Sequence, residues 1–309
     1  MQRNEDILKQ IDEKIKELHE LKAELQDDAV FEPKKLHEIE TEPTEIVCRD
    51  FLPLIKGAYN VISGSGGVGK STIAMRSVLH YLRANPLKNA FMVMSEDDKE
   101  ENESRLEYLA KNTLYSTDAE VADYKDRIFF VTSDNPISMR FLERSGGAAT
   151  VNNALVRSVE EYIKNNNIGF VVFDPLKKFH ACNENDNSEM DLLVRDVFAA
   201  MAGKLNIVLL VLHHSAKSSD AKGARGASTI TDTARIAYKI AKKYKRDKES
   251  GELREDEDFI GKVHVSTIKD NKNIFFKFGR KNTANGIIEL YPGTVNVEFE
   301  TVEMPEVAI

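Results

Sequence analysis

The chain has 309 residues, 41% of them hydrophobic and 30% charged. That is enough to bury the core of one large α/β unit or about two domains, and it excludes a broadly disordered chain. Lys and Arg number 43 against 51 Asp and Glu, a net charge of −8, which excludes a protein that coats nucleic acid through bulk charge and leaves room only for a local basic groove.

The two cysteines, Cys48 and Cys182, form no CxxC pair. That excludes a disulfide scaffold and a cysteine zinc site, and it fits a reducing cytoplasm. The opening MQRNEDILKQIDEK has neither the basic start nor the apolar run of a signal peptide, and no apolar stretch is long enough to span a bilayer. A soluble cytoplasmic protein with no membrane partner is expected.

Residues 1–28 read as an N-terminal helix. Ile7, Ile11, Leu18, Leu21 and Leu25 fall near heptad a and d positions, with Lys14 interrupting the seam. So short a stripe is marginal alone and suits either packing on a neighbour or a short coiled coil with another copy. Residues 29–45, with Glu32-Pro33 and scattered acids up to Pro43, read as a linker, and 46–309 as the main domain.

In that domain apolar strands at Tyr59–Ile62, Ala90–Met94, Ile128–Val131, Gly169–Phe173 and Ile207–His213 alternate with helical patterns at 71–84, 100–112, 151–165 and 189–203. Continuous apolar strands separated by helices predict an α/β fold with a mostly parallel sheet covered on both faces. Toward the C-terminus, short β-branched or aromatic runs at 260–268, 273–278, 286–291 and 295–302 predict antiparallel hairpins on one edge of the sheet. Turns are expected at Asn271, Asn285-Gly286 and Pro292-Gly293. The cations of 239–248 and the acids of 249–258 read as a charged, solvated hairpin.

The strongest chemical signal is Gly64-Ser65-Gly66-Gly67-Val68-Gly69-Lys70-Ser71, followed by Thr72. It fits GxxxxGK[ST], follows an apolar strand and opens a helix. Glycines let backbone N–H groups converge on phosphate oxygens, where the helix N-terminus adds a favourable dipole. Lys70 is suited to the β/γ phosphates of ATP and the Ser71 hydroxyl to Mg²⁺.

The strand Gly169–Phe173 ends in Asp174, a carboxylate placed to accept from Mg²⁺-bound water and from Ser71. The strand from Ala90 delivers Glu96 and Asp97 to the same edge, and Glu96, the first past the strand, is the better base for activating water. His213-His214 end the strand from Ile207, where they can contact the γ-phosphate or sense its loss. Segment 218–228, with Lys222 and Arg225, suits either a plain connector or an arm on a phosphate backbone. The cations Lys277, Arg280 and Lys281 suit either an arginine finger into a neighbouring subunit or a surface cluster.

These motifs, in order, resemble RecA-like P-loop ATPases. The run Asp174-Pro-Leu176, Asn183-Glu-Asn185-Asp186-Asn187, Met190, His213-His214-Ser-Ala-Lys217, Arg225-Gly-Ala-Ser228 and Asp232 is similar to the RepA/DnaB-type plasmid and phage replicative helicases, over residues 44 to 300. The resemblance implies a hexameric ring with ATP and Mg²⁺ between subunits, moving on single-stranded DNA during replication. It implies that Lys70 and Ser71 bind ATP, that Glu96 activates water, that Asp174 supports the metal, and that His214 couples the γ-phosphate to the following loop. It implies channel-facing segments at 180–190 and 215–228, with Lys217 and Arg225 on the second, and trans contacts from Lys277 and Arg280. The Lys277–Arg280 spacing has one residue more than the family's Lys-x-Arg element, Asn183 to Glu189 is acidic, and the chain has no Trp to stack on bases. The alternative is a RecA-fold ATPase that loads or remodels a replication or recombination partner, held by the N-terminal helix, without unwinding DNA. A nucleotide-sensing adaptor without turnover is a further class.

Overall fold

The computed structural model describes residues 44–145, 147–214, 228–246, 253–255, 261–271, 274, 285–290 and 298–300, with Lys14 and Lys35. The chain divides into two units, Met1–Pro43 and Thr44–Ile309. The predicted N-terminal helix and most of the linker lie outside the described residues, and the fold below is that of the second unit.

A short antiparallel pair, β1 (Ile46–Val47) and β2 (Leu54–Ile55), precedes β3 (Ala58–Gly64). The chain continues through α1 (Lys70–Ala84), β4 (Asn89–Met94), α2 (Lys99–Thr113), α3 (Asp118–Arg127) and β5 (Ile128–Val131). A hairpin of β6 (Leu142–Ser145) and β7 (Ala148–Val151) leads to α4 (Asn153–Asn165) and β8 (Ile168–Asp174). After a 3₁₀ turn at Leu176–Lys178 come α5 (Asn187–Asp191), a π-helical stretch at Leu192–Ala199, α6 (Ala200–Leu205) and β9 (Val208–His214). Last are α7 (Thr229–Asp232), β10 (Ile236–Ala241), β11 (Tyr244–Arg246), β12 (Leu253–Glu255), β13 (Lys262–Asp270), β14 (Asn285–Glu289) and β15 (Glu298–Glu300).

Nine strands form one sheet in the order β15-β14-β13-β10-β3-β9-β8-β4-β5. From β10 to β5 every pairing is parallel, and β13, β14 and β15 extend the β10 edge antiparallel. This is the expected mostly parallel sheet with an antiparallel C-terminal edge. Strand alternation splits the core. Ile62, Leu210, Leu212, Val172 and Met92 face α1 and α2, whereas Val61, Leu209, Val211, Val171 and Phe173 face α4 and the π-helical stretch. Burying each such side chain contributes about 1.5–3 kcal/mol, so the central strands are the rigid part on which the loops at their C-terminal ends are held.

Two local expectations are corrected, and one helix is added. The charged hairpin is confined to β11 and β12, because Ile236, Ala237, Tyr238 and Ile240 are buried in β10 between β3 and β13 while Lys239 points to solvent. Asn285-Gly286 is not a turn: it pairs with Ser266 and Val265 of β13 on one side and with β15 on the other. Helix α3 went unread although Thr117 and Glu120 form a reciprocal capping box, the Thr117 side chain accepting from the Glu120 N–H and Glu120 from the Thr117 N–H. Of the strand predicted over 273–278, all but residue 274 lies outside the described residues, as does Pro292-Gly293. Among the described residues, no helix is long and apolar enough to cross a membrane.

Candidate nucleotide site

Strands β3, β4, β8 and β9 are adjacent in the sheet, so their C-terminal ends bring four distant sequence motifs to one place. Parallel α/β sheets bind ligands at such an edge, where the strand order is interrupted by crossovers. Here a cleft of about 700 Å³ is lined by Gly67 to Thr72, Glu96, Asp97, Asp174 and His214.

The loop after β3 needs its glycines. Gly69 has φ +92°, in the left-handed region, and a Cβ there would collide with the side chain of Leu290. With Gly69 at the N-cap and no side chain capping the helix, the first amides of α1 are left for a ligand, and no acid sits in the first turn. Lys70, buried at the first helical position, donates to the carbonyls of Gly64 at 3.0 Å and Ser65 at 2.8 Å. Burial lowers its pKa, and the carboxylates of Asp174 and Glu96 oppose that shift.

Ser71 Oγ donates to Asp174 Oδ2 at 2.6 Å. Burial pushes the Asp174 carboxyl up to about 6, against the Ser71 hydrogen bond and the Lys70 charge, and Asp97 and Glu96 raise it further. A buried carboxylate short of positive charge, beside a hydroxyl, is the oxygen donor set that suits Mg²⁺, which binds through one or two protein oxygens, phosphate and water. Among the described residues no group of three or more His, Cys, Asp or Glu forms a metal cage. The residues therefore fit a divalent cation that arrives with a nucleotide.

Ser95 ties β4 to β8, its N–H and hydroxyl both donating to the Asp174 carbonyl at 3.2 and 3.1 Å. That fixes where the chain leaves β4 and sets Glu96 at the mouth of the cleft, with Oε2 3.6 Å from His214 Nε2 and Oε1 3.5 Å from Lys177 Nζ. Asp97, on the same cleft, is held in a 2.6 Å pair with Arg105, whereas Glu96 has only the longer contacts to His214 and Lys177. His214 Nδ1 lies 3.4 Å from Lys70 Nζ. Burial lowers the His214 pKa, Lys70 lowers it further and Glu96 opposes. The neutral ring can then accept from Lys70 at Nδ1 and present an N–H at Nε2 toward Glu96. His213 is buried on the opposite side of β9.

The structure thus brings together Gly64 to Thr72, Glu96, Asp174 and His214. Lys217, Arg225, Lys277 and Arg280 lie outside the described residues. Sequence reasoning missed the far wall of the cleft, made by Lys242, Gly261, Lys262, Val263 and Leu290. No local signal marks them, because only the pairing of β10, β13 and β14 places them beside the P-loop.

The acids of the first predicted channel segment are also engaged locally. Asp186 caps α5 and Glu189 pairs with Arg144 at 2.6 Å while accepting from the Asn183 N–H. Asp191 pairs with Arg195 and accepts from the Thr229 hydroxyl, and Glu184 lies 3.5 Å from His180.

A family model described as an AAA domain matches residues 22–220. A solved structure of an ATPase domain superposes with a TM-score of 0.53 at 16% identity, over 79% of this chain and 86% of that one. A DnaB-like replicative helicase, from a structure that describes its interactions with primase, superposes with a TM-score of 0.53 at 17% identity, over 79% of this chain and 59% of that one. The present chain thus spans less than two thirds of that helicase. No curated protein matches the chain. The likeness to these structures is one of fold.

Proposed function

The chain belongs to the AAA domain family, and from that premise we propose that it is a Mg²⁺-dependent ATPase working in the cytoplasm as a homo-oligomeric ring, a hexamer, that moves on single-stranded DNA or unwinds duplex during plasmid or phage replication. The observation that carries the ATPase is the 2.6 Å hydrogen bond from Ser71 to Asp174, 103 residues apart, in a cleft that also holds Lys70, Glu96 and His214.

The roles follow from the chemistry of each group. The backbone amides of 66–72 and the Lys70 ammonium hold the β/γ phosphates, and Lys70 exchanges its contacts with Gly64 and Ser65 for phosphate oxygens. Ser71 and Asp174 hold the cation, which when bound offsets phosphate charge during transfer to water. Glu96 orients the attacking water and takes its proton. His214, touching Lys70 and facing Glu96, reports the γ-phosphate to the segment that follows β9.

Contact with DNA is assigned to segments 180–190 and 215–228, including Lys217 and Arg225, and trans contacts to Lys277 and Arg280. Residues 1–28 and 29–45 are assigned as helix and linker ahead of the 46–309 ATPase domain, with the helix available to a replication or recombination partner. The pairing of Glu189 with Arg144 supports the DNA assignment, since a phosphate backbone there would meet an acid already offset by a cation.

The deciding experiment is steady-state ATP hydrolysis with and without single-stranded DNA at two salt concentrations. Salt-sensitive stimulation is the expected result. Turnover indifferent to DNA would overturn the motor reading and favour the partner-remodelling ATPase.

A further inference from the structure

Glu96 belongs to a loop, Ser95 to Lys99, whose backbone is held from three elements. Ser95 is tied to β8 through the Asp174 carbonyl. The Asp97 N–H donates to the Met94 carbonyl at 3.3 Å, and the Asp97 carbonyl accepts from the Ser133 N–H, just past β5, at 2.9 Å. Asp98 caps α2, its side chain accepting from the Glu101 N–H at 2.8 Å, and the Lys99 N–H donates to the Asp134 carboxylate at 3.2 Å.

One side chain of this loop is also locked to α2. Asp97 Oδ2 accepts from Arg105 Nη1 at 2.6 Å, and Nη2 of the same guanidinium donates to Glu101 Oε1 at 2.8 Å. Nη1 further donates to Asn102 Oδ1 at 3.4 Å, and the buried Asn102 amide donates to the Asp98 carbonyl at 2.8 Å. The Arg105 side chain is 12% exposed and that of Asp97 20%, so this pair is largely shielded from water, whereas Glu96 is half exposed. A planar guanidinium that bonds two acids fixes direction as well as charge, which a flexible ammonium does not.

We propose that Arg105 is a positioning residue for hydrolysis: by holding Asp97 against α2, it sets how the preceding residue, Glu96, enters the cleft. Asp97 is then a strut and not a second base. The proposal rests on Glu96 being the base. A base contributes only from the correct place, and a shift of about 1 Å costs up to roughly 10²-fold in rate.

The test is kcat for ATP with Mg²⁺ and equilibrium ATP affinity, both on the full chain. Arg105→Met lowers kcat roughly 10- to 100-fold and leaves ATP affinity within about threefold, since the P-loop amides and Lys70 hold the phosphates. Arg105→Lys, which keeps an ionic contact with Asp97, regains part of the loss. Asp97→Asn still accepts from Arg105 and keeps kcat within about fivefold of wild type, the worth of one ion pair. The Arg105→Met, Asp97→Asn double variant leaves no covered charge unpaired and shows the loss of Arg105→Met, so it gives the answer if the single variant does not fold. An unchanged kcat on removal of Arg105, affinity lost in step with kcat, or Arg105→Lys no better than Arg105→Met overturns the proposal. Asp97→Asn as slow as Glu96→Gln also overturns it, by putting Asp97 in the chemistry itself. Glu96→Gln separates the two levels. Turnover that persists there removes the base assignment, whereas lost turnover there with an unchanged kcat in Arg105→Met removes only the strut.

Discussion

Leu290, just past the end of β14, rests on Gly69, the last glycine of the phosphate loop, so closely that a methyl group at 69 would strike its side chain. The Leu290 N–H donates to the Gly261 carbonyl at 2.7 Å, which fixes this residue over the loop. The C-terminal strands therefore form one wall of the cleft. Gly69→Ala carries two penalties, the collision and a left-handed φ worth about 1–2 kcal/mol. It should weaken nucleotide binding by roughly tenfold or more in a fluorescent-nucleotide titration. Leu290→Ala removes only the collision, so the double variant should recover part of the affinity. A double variant no better than Gly69→Ala would show that the backbone angle alone decides.

Asp174 makes the stability of the ligand-free protein depend on pH. Its folded pKa, raised by burial to about 6, lies above the unfolded value near 3.9, so its contribution is fully present below about pH 3.9 and is lost as pH rises through 6. The loss is at most about 3 kcal/mol. Asp174→Asn keeps an acceptor for Ser71 and has no charge to desolvate. It should be the more stable protein at pH 7.5 and lose that advantage near pH 4, in urea unfolding curves without nucleotide. Parallel pH profiles for the two proteins would refute this account. The same variant should lose hydrolysis.

The parts of this fold that were legible in the sequence are those whose environment repeats along the chain. Strands β3, β4, β8 and β9 are buried on both faces and read as unbroken apolar runs, as does the partly buried edge strand β5, and the P-loop is a contiguous motif. Strand β10 is buried too, but Lys239 and the cations that follow it gave it the look of a solvated hairpin. Asn285-Gly286 has turn chemistry, yet ladder pairing on both sides holds it extended. Leu290 could not be assigned by position, since its place beside Gly69 is set by strand order and not by spacing. The acidity of Asn183 to Glu189 was plain, whereas the contacts of Glu189 with Arg144 and of Glu184 with His180 were not.

Lys70 and Glu96 should separate binding from chemistry. Lys70 is the buried cation of the cleft, bonded to Gly64 and Ser65, and Lys70→Ala should remove ATP affinity altogether. Glu96 is half exposed and touches the loop only through His214, so Glu96→Gln should bind ATP within about threefold of wild type while kcat falls roughly 10²- to 10⁴-fold. Equilibrium binding and steady-state turnover on the same preparations check both. Unchanged ATP affinity in Lys70→Ala would displace the site.

Arg144 should govern how the 183–191 segment meets a polyanion. Its guanidinium is half exposed and pairs with Glu189, which is largely covered and also accepts from the Asn183 N–H. Arg144→Ala removes a cation and leaves the Glu189 charge unopposed, so a phosphate backbone approaching this segment meets net repulsion. Affinity for a single-stranded oligonucleotide, measured by fluorescence anisotropy, should fall about two- to fivefold, the range of an exposed ion pair. The slope of log affinity against log salt should become shallower by about one if Arg144 also reaches a phosphate, and stay the same if it acts only by offsetting Glu189. Glu189→Gln in the Arg144→Ala background should restore affinity in the second case. Oligonucleotide binding that ignores both variants would move the DNA path away from this segment.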